Sequence, residues 1–279
     1  MIFGSHVSIR NGYLGAAKRA ASYDASAYQY FPKNPRSLTI KEFDNHDAEA
    51  CKAYCQEHQL QSIAHTPYPT SLTPSKDKEE LTIASLLNDL EIANACGSIG
   101  VVVHYGSQIS ETDPLASYHL MLYTLNTVLS RWKGETLILL ENNAGTKGAL
   151  GTTFEELVQI RNLCEFPEKI GFCLDTCHAF ASGLWNGENT EEFFKKGQEL
   201  NYFDHLKAIH LNNSKYPSGS KKDRHANIFK NNGFIKEEHL KEMVTSPILK
   251  EVPFILETPD DEGITHQEEI SMLQERWGQ

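Results

Sequence analysis

The sequence predicts a single-domain α/β protein, a closed (β/α)8 TIM barrel over residues 1–279. Eight short apolar or β-branched runs each precede a longer segment with helical periodicity. The runs are apolar along most of their length, which is typical of a parallel sheet covered by helices on both faces. Eight such units are the number that closes a barrel. An open doubly wound sheet is the alternative fold, but no glycine-rich dinucleotide turn follows the first strand.

The strands are expected, in chain order, at IFG near residue 3, AYQY near 29, SIAH ending at 65, GVVVH ending at 104, TLILLE ending at 141, IGFCLD ending at 175, LKAIH ending at 210 and PFILE ending at 257. The helices are expected over residues 13–23, 44–57, 78–95, 114–132, 153–163, 190–200, 236–245 and 265–277. Thr152 or Thr153 ahead of two glutamates resembles a capping box, and Asp113 precedes Pro114 at a helix start. The longest irregular segment, 211–234, has the length of a functional or mobile loop.

Charge and composition limit the partners. The formal charge is -11, from 26 Lys and Arg against 37 Asp and Glu. This argues against nucleic acid held through counterion release alone, although acidic residues that bind divalent cations would reverse the local field. Neither a secretory signal nor a membrane-length apolar stretch is present, so a cytoplasmic protein without a membrane partner is expected. The six cysteines are expected to be reduced, with Cys173 and Cys177 as core thiols rather than metal ligands.

Metal-type side chains recur where the predicted strands end. Six successive strands end in a histidine or a carboxylate: His65, His104, Glu141, Asp175, His210 and Glu257. Active sites of TIM barrels are built at the carboxyl ends of the strands. A single histidine there is more often a hydrogen-bonded rim residue, but six such residues in register predict one shared site. Without cations, mutual repulsion and desolvation of the carboxylates would cost stability.

Three further residues extend the set. His178 stands three residues after Asp175, and Asp223 and His225 lie in the DRH of the long loop, which taken alone is equally consistent with a solvated charged loop. Nine nitrogen and oxygen ligands suit zinc or manganese, and imidazole in this number favours zinc. Nine are too many for one ion, so two or three adjacent metals are expected. Clustered metals are typical of in-line attack at phosphorus, which predicts phosphodiester hydrolysis.

Motifs along essentially the whole chain carry a family resemblance. They are GSHVS at 4–8, KNPR at 33–36, VHYGS at 103–107, LENNAG at 140–145, CLDTCHAFASG at 173–183, IHLNNSK at 209–215, KDRH at 222–225 and ILET at 255–258. With these motifs the sequence resembles endonuclease IV, the zinc-dependent apurinic/apyrimidinic (AP) endonuclease family. The resemblance implies a monomeric deoxyribonuclease that cuts damaged double-stranded DNA 5′ to a base-less sugar and trims blocked 3′ ends.

The resemblance also implies the ligand sets. Three zinc ions are expected per chain, with manganese as an alternative at one site. The first ion would take His65, His104 and Glu141; the second would share Glu141 and add Asp175, His210 and Glu257; the third would take His178, Asp223 and His225.

Catalytic and DNA-contacting residues follow from the same likeness. Glu141 and Glu257 are expected to be catalytic, since either carboxylate would position the attacking water. Arg36 and Tyr68 sit where the family places residues that enter the DNA and fill the gap in the base stack. On sequence evidence alone, Arg36 is equally consistent with an ordinary surface arginine.

The departures from the family lie in the substrate region. Tyr105 stands where the family typically has the proline of HPGS, and Asn213 where it has the aspartate of HLND. After DRH the chain continues ANIFKNNG instead of a sequence like HxxLGEG. These changes bear on DNA docking and lesion preference rather than on metal binding.

Two competing functions are weighed against the nuclease. A single-metal sugar isomerase or epimerase of the xylose-isomerase-like barrels would need only a quartet, namely Glu141, Asp175, His210 and Glu257. The additional histidines have no role there, and the fold alone does not set function. A catalytically silent relative that binds damaged DNA or buffers zinc would be expected to have lost ligands, and none is lost. The other histidines, including His6, His119 and His205, stay unassigned.

Overall fold

The computed structural model describes residues 1–113, 115–146, 148–230, 232–260 and 263–278. Its strands are β1 (Phe3–His6), β2 (Ala27–Tyr30), β3 (Gln61–His65), β4 (Gly100–His104), β5 (Leu137–Glu141), β6 (Ile170–Asp175), β7 (Leu206–His210), β8 (Asn213–Ser214), β9 (His225–Ala226) and β10 (Phe254–Leu256). Strands β1 to β7 and β10 are parallel and close into a barrel, in which β10 pairs with β7 and β1. The predicted (β/α)8 barrel is confirmed.

The helices cover the outside of the barrel. They are α1 (Gly12–Ala21), α2 (Asn45–Glu57), α3 (Glu79–Ala95), α4 (Leu115–Arg131), α5 (Phe154–Leu163), α6 (Thr176–Ser182), α7 (Thr190–Glu199), α8 (Glu237–Val244) and α9 (His266–Trp277). Each expected helix is present with its ends shifted by at most two residues, although Pro114 at the expected start of α4 lies outside the described residues. Helix α6 was not predicted from the sequence.

Side-chain caps set two of the helix starts. Thr153 caps α5, because its hydroxyl accepts a hydrogen bond from the backbone N–H of Glu156 at 3.2 Å. The carboxylate of Glu156 in turn accepts from the backbone N–H of Thr152 at 2.9 Å. At the start of α4, Asp113 accepts from the backbone N–H of Leu115 at 3.1 Å. Both predicted helix starts therefore use the expected side chains.

Two predicted boundaries were wrong. The last barrel strand ends at Leu256, so Glu257 is the first residue after it. The segment 211–234 is not wholly irregular, because β8 and β9 pair as an antiparallel ribbon, with Asn213 opposite Ala226 and Ser214 opposite His225. The ribbon orders the part of the loop that carries the DRH motif.

The hydrophobic core has two parts. A large cluster lies between the barrel and the helices, and a small cluster fills the barrel interior with Ala27, Ile63, Val102, Leu139, Cys173, Ala208 and Ile255. All six cysteines are free and buried, and the predicted core position of Cys173 and Cys177 is confirmed. Burial raises the pKa of Cys173 to about 12, which agrees with a core thiol. Among the described helices, none combines the length and the apolar character needed to cross a membrane.

Candidate metal centre

Glu141, the last residue of β5, lies at the floor of the barrel mouth. Its Oε2 is 3.1 Å from Nε2 of His104 and 3.7 Å from Nε2 of His65. Strand register produces this approach, because His104 pairs directly with Glu141. Oε2 is buried and has no hydrogen-bond partner among the described residues. Two imidazole nitrogens and an unsatisfied carboxylate oxygen that face a common point form a donor set that fits a cation.

A second group surrounds Nδ1 of His210. The nitrogen lies 2.7 Å from Oε1 of Glu141, 3.2 Å from Oε2 of Glu257 and 3.9 Å from Oδ2 of Asp175. The four ligand atoms all lie within 4.8 Å of one another. Asp175 and His210 are fully buried. Three carboxylates this close to one another are unfavourable unless positive charge lies between them, so this group also fits a cation.

The third group joins α6 to the β8–β9 ribbon. Oδ2 of Asp223 is 3.2 Å from Nε2 of His178, and its Oδ1 is 3.3 Å from Nε2 of His225. Nε2 of His225 is buried and forms no hydrogen bond to any described residue. The structure therefore brings all nine predicted ligand residues together in three groups, with Glu141 common to two of them.

The turn from β6 into α6 positions two ligand candidates at once. Asp175 caps α6, and its Oδ1 accepts from the backbone N–H of His178 at 2.6 Å. Asn142 fixes the backbone at the same turn, because its side chain accepts a hydrogen bond from Asp175 N–H at 2.7 Å and donates one to the Asp175 carbonyl at 3.0 Å. An aspartate at the helix cap is thus placed beside a histidine in the first turn.

Backbone carbonyls orient three of the histidine rings. Nδ1 of His65 lies 2.8 Å from the carbonyl of Thr66, Nδ1 of His178 lies 2.9 Å from that of Asn142, and Nδ1 of His225 lies 3.2 Å from that of Glu257. Because a carbonyl only accepts, each Nδ1 is the protonated nitrogen. Each ring then turns Nε2 toward the centre as the nitrogen left to bind an ion, an arrangement typical of metal-binding histidines.

In the absence of metal, the pKa values of the carboxylates and imidazoles of this centre are shifted from their usual values. Burial would raise the pKa of Glu141, but His210 and His104 outweigh it and hold the pKa well below its usual value. Burial would lower the pKa of His210, whereas nearby acidic groups, including Glu257 and Glu141, raise it well above its usual value. For Glu257, burial opposes ionisation, but His210 brings the pKa down to about 2. The carboxylates therefore stay ionised and attract positive charge, either protons or metal ions.

A pocket of about 290 Å³ opens above these groups. Seven of the nine ligand candidates line it, and Asp175 and His210 lie beneath them. The remaining wall contains His6, Phe31, Tyr68 and His266. The ring of Phe31 packs between those of His65 and Tyr68, at centroid distances of 5.4 and 5.2 Å.

Tyr68 lines the pocket, and Arg36 lies on a neighbouring loop. Tyr68 is 64% exposed although it is aromatic, and Arg36 is also exposed. A hydrogen bond of 2.8 Å from the backbone N–H of Tyr68 to the carbonyl of Pro35 joins the two loops that carry them. The structure therefore brings together the loops that carry these two sequence-predicted residues, and Tyr68 is the one that lines the pocket.

The departures Tyr105 and Asn213 have structural roles. Tyr105 is buried, and its hydroxyl donates to the backbone carbonyl of Glu156 at 2.8 Å. The amide of Asn213 donates to the carbonyl of Ile235 and accepts from the N–H of the same residue, both at 2.9 Å. An aspartate could only accept, so asparagine closes the end of the divergent loop with one more hydrogen bond.

Two buried amides beside the centre were not anticipated from the sequence. Asn212 donates to Asp175 Oδ2 at 2.8 Å, and Gln29 donates to Glu257 Oε1 at 2.6 Å. The sequence signal was a polar residue near the carboxyl end of an apolar strand, or two positions beyond it. His6 also stands at the carboxyl end of a strand, β1, and it lines the pocket. His119, in contrast, is exposed on α4.

Known proteins resemble this chain along almost its whole length. The xylose isomerase-like TIM barrel family matches residues 17–276. The probable endonuclease 4 of Symbiobacterium thermophilum is 40% identical over 272 residues, which cover 97% of this chain and 98% of the relative. The chain belongs to the endonuclease IV family. The crystal structure of endonuclease IV from Thermus thermophilus superposes with a TM-score of 0.83 at 31% identity, covering 98% of this chain and 97% of that one.

Other barrels share the fold with this endonuclease IV family member. A D-tagatose 3-epimerase-like protein superposes with a TM-score of 0.70 at 19% identity, covering 99% of this chain and 96% of the other. That likeness concerns the fold alone. The family assignment thus rests on the endonuclease relatives.

Proposed function

We propose that this protein is a metal-dependent AP endonuclease, which cleaves the backbone of damaged double-stranded DNA 5′ to a base-less sugar and removes blocked 3′ ends. The observation that carries the proposal is the convergence of nine ligand side chains in three groups on one pocket, with Glu141 shared by two groups. The names of the relatives, endonuclease 4 and endonuclease IV, agree with it. We propose further that the enzyme acts as a monomer in the cytoplasm.

Three zinc ions are the proposed cofactors, with manganese as the alternative at one site. The proposed ligand sets are His65, His104 and Glu141; Glu141, Asp175, His210 and Glu257; and His178, Asp223 and His225. Imidazole nitrogen and carboxylate oxygen are donors that zinc accepts readily. When bound, such a cluster lowers the pKa of a water and neutralises charge on the phosphate.

The two glutamates differ in their proposed roles because they differ in exposure. The side chain of Glu257 is 19% exposed and borders the pocket, whereas that of Glu141 is 1% exposed. A carboxylate must reach the attacking water to orient it. Glu257 is therefore the residue proposed to position the water, and Glu141 is proposed to act as the shared ligand.

DNA is proposed to dock across the pocket mouth. A pocket of about 290 Å³ is at the small end of ligand pockets and suits a sugar-phosphate without its base. The exposed ring of Tyr68 offers a stacking surface beside it, and Arg36 offers a positive charge. Because the overall charge is -11, the chain has no general positive surface charge to attract DNA. Affinity for DNA must therefore come from local cations such as Arg36 and from bound metal ions.

A one-metal sugar isomerase or epimerase is the second candidate. The quartet of Glu141, Asp175, His210 and Glu257 favours it, because those four side chains alone could hold one divalent ion. It leaves five converging side chains without a role: His65, His104, His178, Asp223 and His225. A single-metal reaction gives no reason to bring them together, so the nuclease accounts for more of the site.

One experiment separates these functions. Purified protein is incubated with an end-labelled duplex that contains one abasic analogue, with and without a strong chelator, and metal content is measured in parallel. We expect chelator-sensitive nicking 5′ to the lesion, a product with an extendable 3′ hydroxyl, and close to three zinc ions per chain. His119→Ala, a change at an exposed residue of α4, is the matched control. One manganese or cobalt ion per chain with no nicking would instead support the isomerase.

A further inference from the structure

Gln29 is a fully buried polar residue on β2, a strand that contributes no member of the nine-residue ligand set. Its amide makes three polar contacts. Nε2 lies 2.6 Å from Oε1 of Glu257 and 3.3 Å from Nδ1 of His6, and Oε1 lies 2.7 Å from Nε2 of His210. The side chain therefore touches two members of the same metal group.

The chemistry of these contacts fixes the orientation of the amide. An ionised carboxylate only accepts hydrogen bonds, so the NH2 group of Gln29 must face Glu257. Its carbonyl oxygen consequently faces His210 and needs a donor. Nε2 of His210 is thus a protonated ring nitrogen, and Nδ1, which faces the carboxylates of Glu141 and Glu257, is the nitrogen that can bind an ion once its proton is displaced.

His210 is oriented differently from its neighbours. His65, His178 and His225 each donate from Nδ1 to a backbone carbonyl and present Nε2. His210 instead presents Nδ1, which faces the carboxylates of Glu141 and Glu257 at 2.7 and 3.2 Å. The acceptor for His210 Nε2–H is the side-chain carbonyl of Gln29. A substitution can remove this acceptor, whereas the backbone carbonyls that orient the other three rings cannot be removed by substitution.

We propose that Gln29 is a positioning residue of the metal centre, which holds His210 with Nδ1 as the ligand atom and Glu257 against the same ion. The proposal rests on the proposed function only in requiring a bound ion. Groups that orient metal ligands typically change metal affinity or activity by about 10- to 100-fold when removed. Loss of Gln29 therefore acts on the ion between His210 and Glu257 and leaves the group of His178 intact.

The test compares Gln29→Met with Tyr30→Phe. Methionine keeps a similar length and neither donates nor accepts a strong hydrogen bond. Tyr30 is the next residue of the same strand, and its change removes a buried hydrogen bond to Ser98 instead. Release of zinc from the loaded protein to a chromogenic chelator is followed in time. We expect one ion of Gln29→Met to leave about 10- to 100-fold faster, and Tyr30→Phe to match the wild type.

A spectroscopic measurement checks the tautomer directly. Ring nitrogen shifts of His210 in the zinc-loaded protein should show a protonated Nε2 and a coordinated Nδ1. Gln29→Glu supplies the second variant if Gln29→Met does not fold, since a carboxylate still accepts from His210 but repels Glu257. It should keep the tautomer and still release one ion faster.

Two results would overturn the proposal: unchanged release from both Gln29 variants, or coordination of His210 through Nε2. If these occur while the protein still cleaves abasic DNA, only the role of Gln29 fails. A wild-type protein that binds no ion would refute the proposed function as well.

Discussion

Glu141 and Glu257 approach the same nitrogen, Nδ1 of His210, at 2.7 and 3.2 Å, yet the side chain of Glu141 is 1% exposed and that of Glu257 is 19% exposed. Glu141 also faces His104 and His65 with its other oxygen. Glu141 therefore joins two groups, and Glu257 is the carboxylate of the His210 group that is more accessible from the pocket.

This difference predicts opposite effects for two glutamine variants. Glu257→Gln should keep the metal content of the wild type, because the amide oxygen can still ligate, but lower kcat by about 100-fold or more. Glu141→Gln should lose metal, because it weakens two groups at once. Elemental analysis and single-turnover nicking measure the two effects. Loss of metal from Glu257→Gln with normal content in Glu141→Gln would reverse the assignment.

Metal affinity should rise with pH between 7 and 9. Burial would lower the pKa of His225, but Asp223 and Asp175 outweigh it and raise the pKa to about 9 in the metal-free protein. The ring is therefore protonated at pH 7, and an ion must displace that proton to bind. Zinc competition titrations at pH 7, 8 and 9 should show tighter binding at each step. Calorimetry in buffers of different ionisation enthalpy should show proton release, and a pH-independent affinity would contradict the prediction.

Tyr68→Ala should weaken binding to DNA without changing metal content. The exposed ring offers a stacking face, and loss of such a contact costs about 1–3 kcal/mol. The expected result is a higher KM for the abasic duplex with thermal stability close to that of the wild type. Tyr68→Phe is the matched control, because it keeps the ring. An equal loss in both variants would show that the hydroxyl, and not the ring face, makes the contact.

Arg36→Ala should reduce the dependence of DNA binding on salt. Arg36 is exposed on the loop that is hydrogen-bonded to the backbone of Tyr68, and loss of one phosphate contact lowers the slope of log affinity against log salt by about 1. Fluorescence anisotropy with the abasic duplex at several salt concentrations measures this slope, in metal-loaded protein with cleavage blocked by Glu257→Gln. An unchanged slope would identify Arg36 as an ordinary surface arginine.

Glu269→Ala should be strongly destabilising. The carboxylate is fully buried on α9 and accepts from the N–H of Ile228 at 2.6 Å and from the side chains of Asn227 and Thr258. Leaving three buried donors unpaired should cost about 3 kcal/mol or more. Urea denaturation measures the free energy of unfolding.

The neighbour Glu268 provides the control for that change. It is exposed and belongs to the capping box of α9, so Glu268→Ala should have a smaller effect. Equal losses in the two variants would indicate that the helix start, and not the buried carboxylate, determines stability.

The sequence allowed prediction of the barrel and of the nine converging side chains because both depend on local pattern. Apolar runs locate the strands, and the carboxyl ends of parallel strands meet at one face. His65 and Glu141 each end such a run, so their placement needs no knowledge of distant contacts.

The positioning contacts could not be predicted in this way. Gln29 meets His210 across 181 positions of sequence, and neither residue type indicates the other. Helix α6 has only seven residues, and its cap is Asp175, a residue already interpreted as a ligand, so the capping role was missed. Long-range side-chain contacts and short helices lack the periodicity on which the other predictions depend.

The position of β10 links one metal group to the closure of the barrel. Glu257 follows β10 directly. Strand β10 pairs with β7 on one side and with β1 on the other, and so closes the barrel. Its partners in the His210 group come from β5, β6 and β7, so that donor set is complete only when β10 lies beside β7. Retention of an ion by this group would therefore report that the last strand of the barrel is in place.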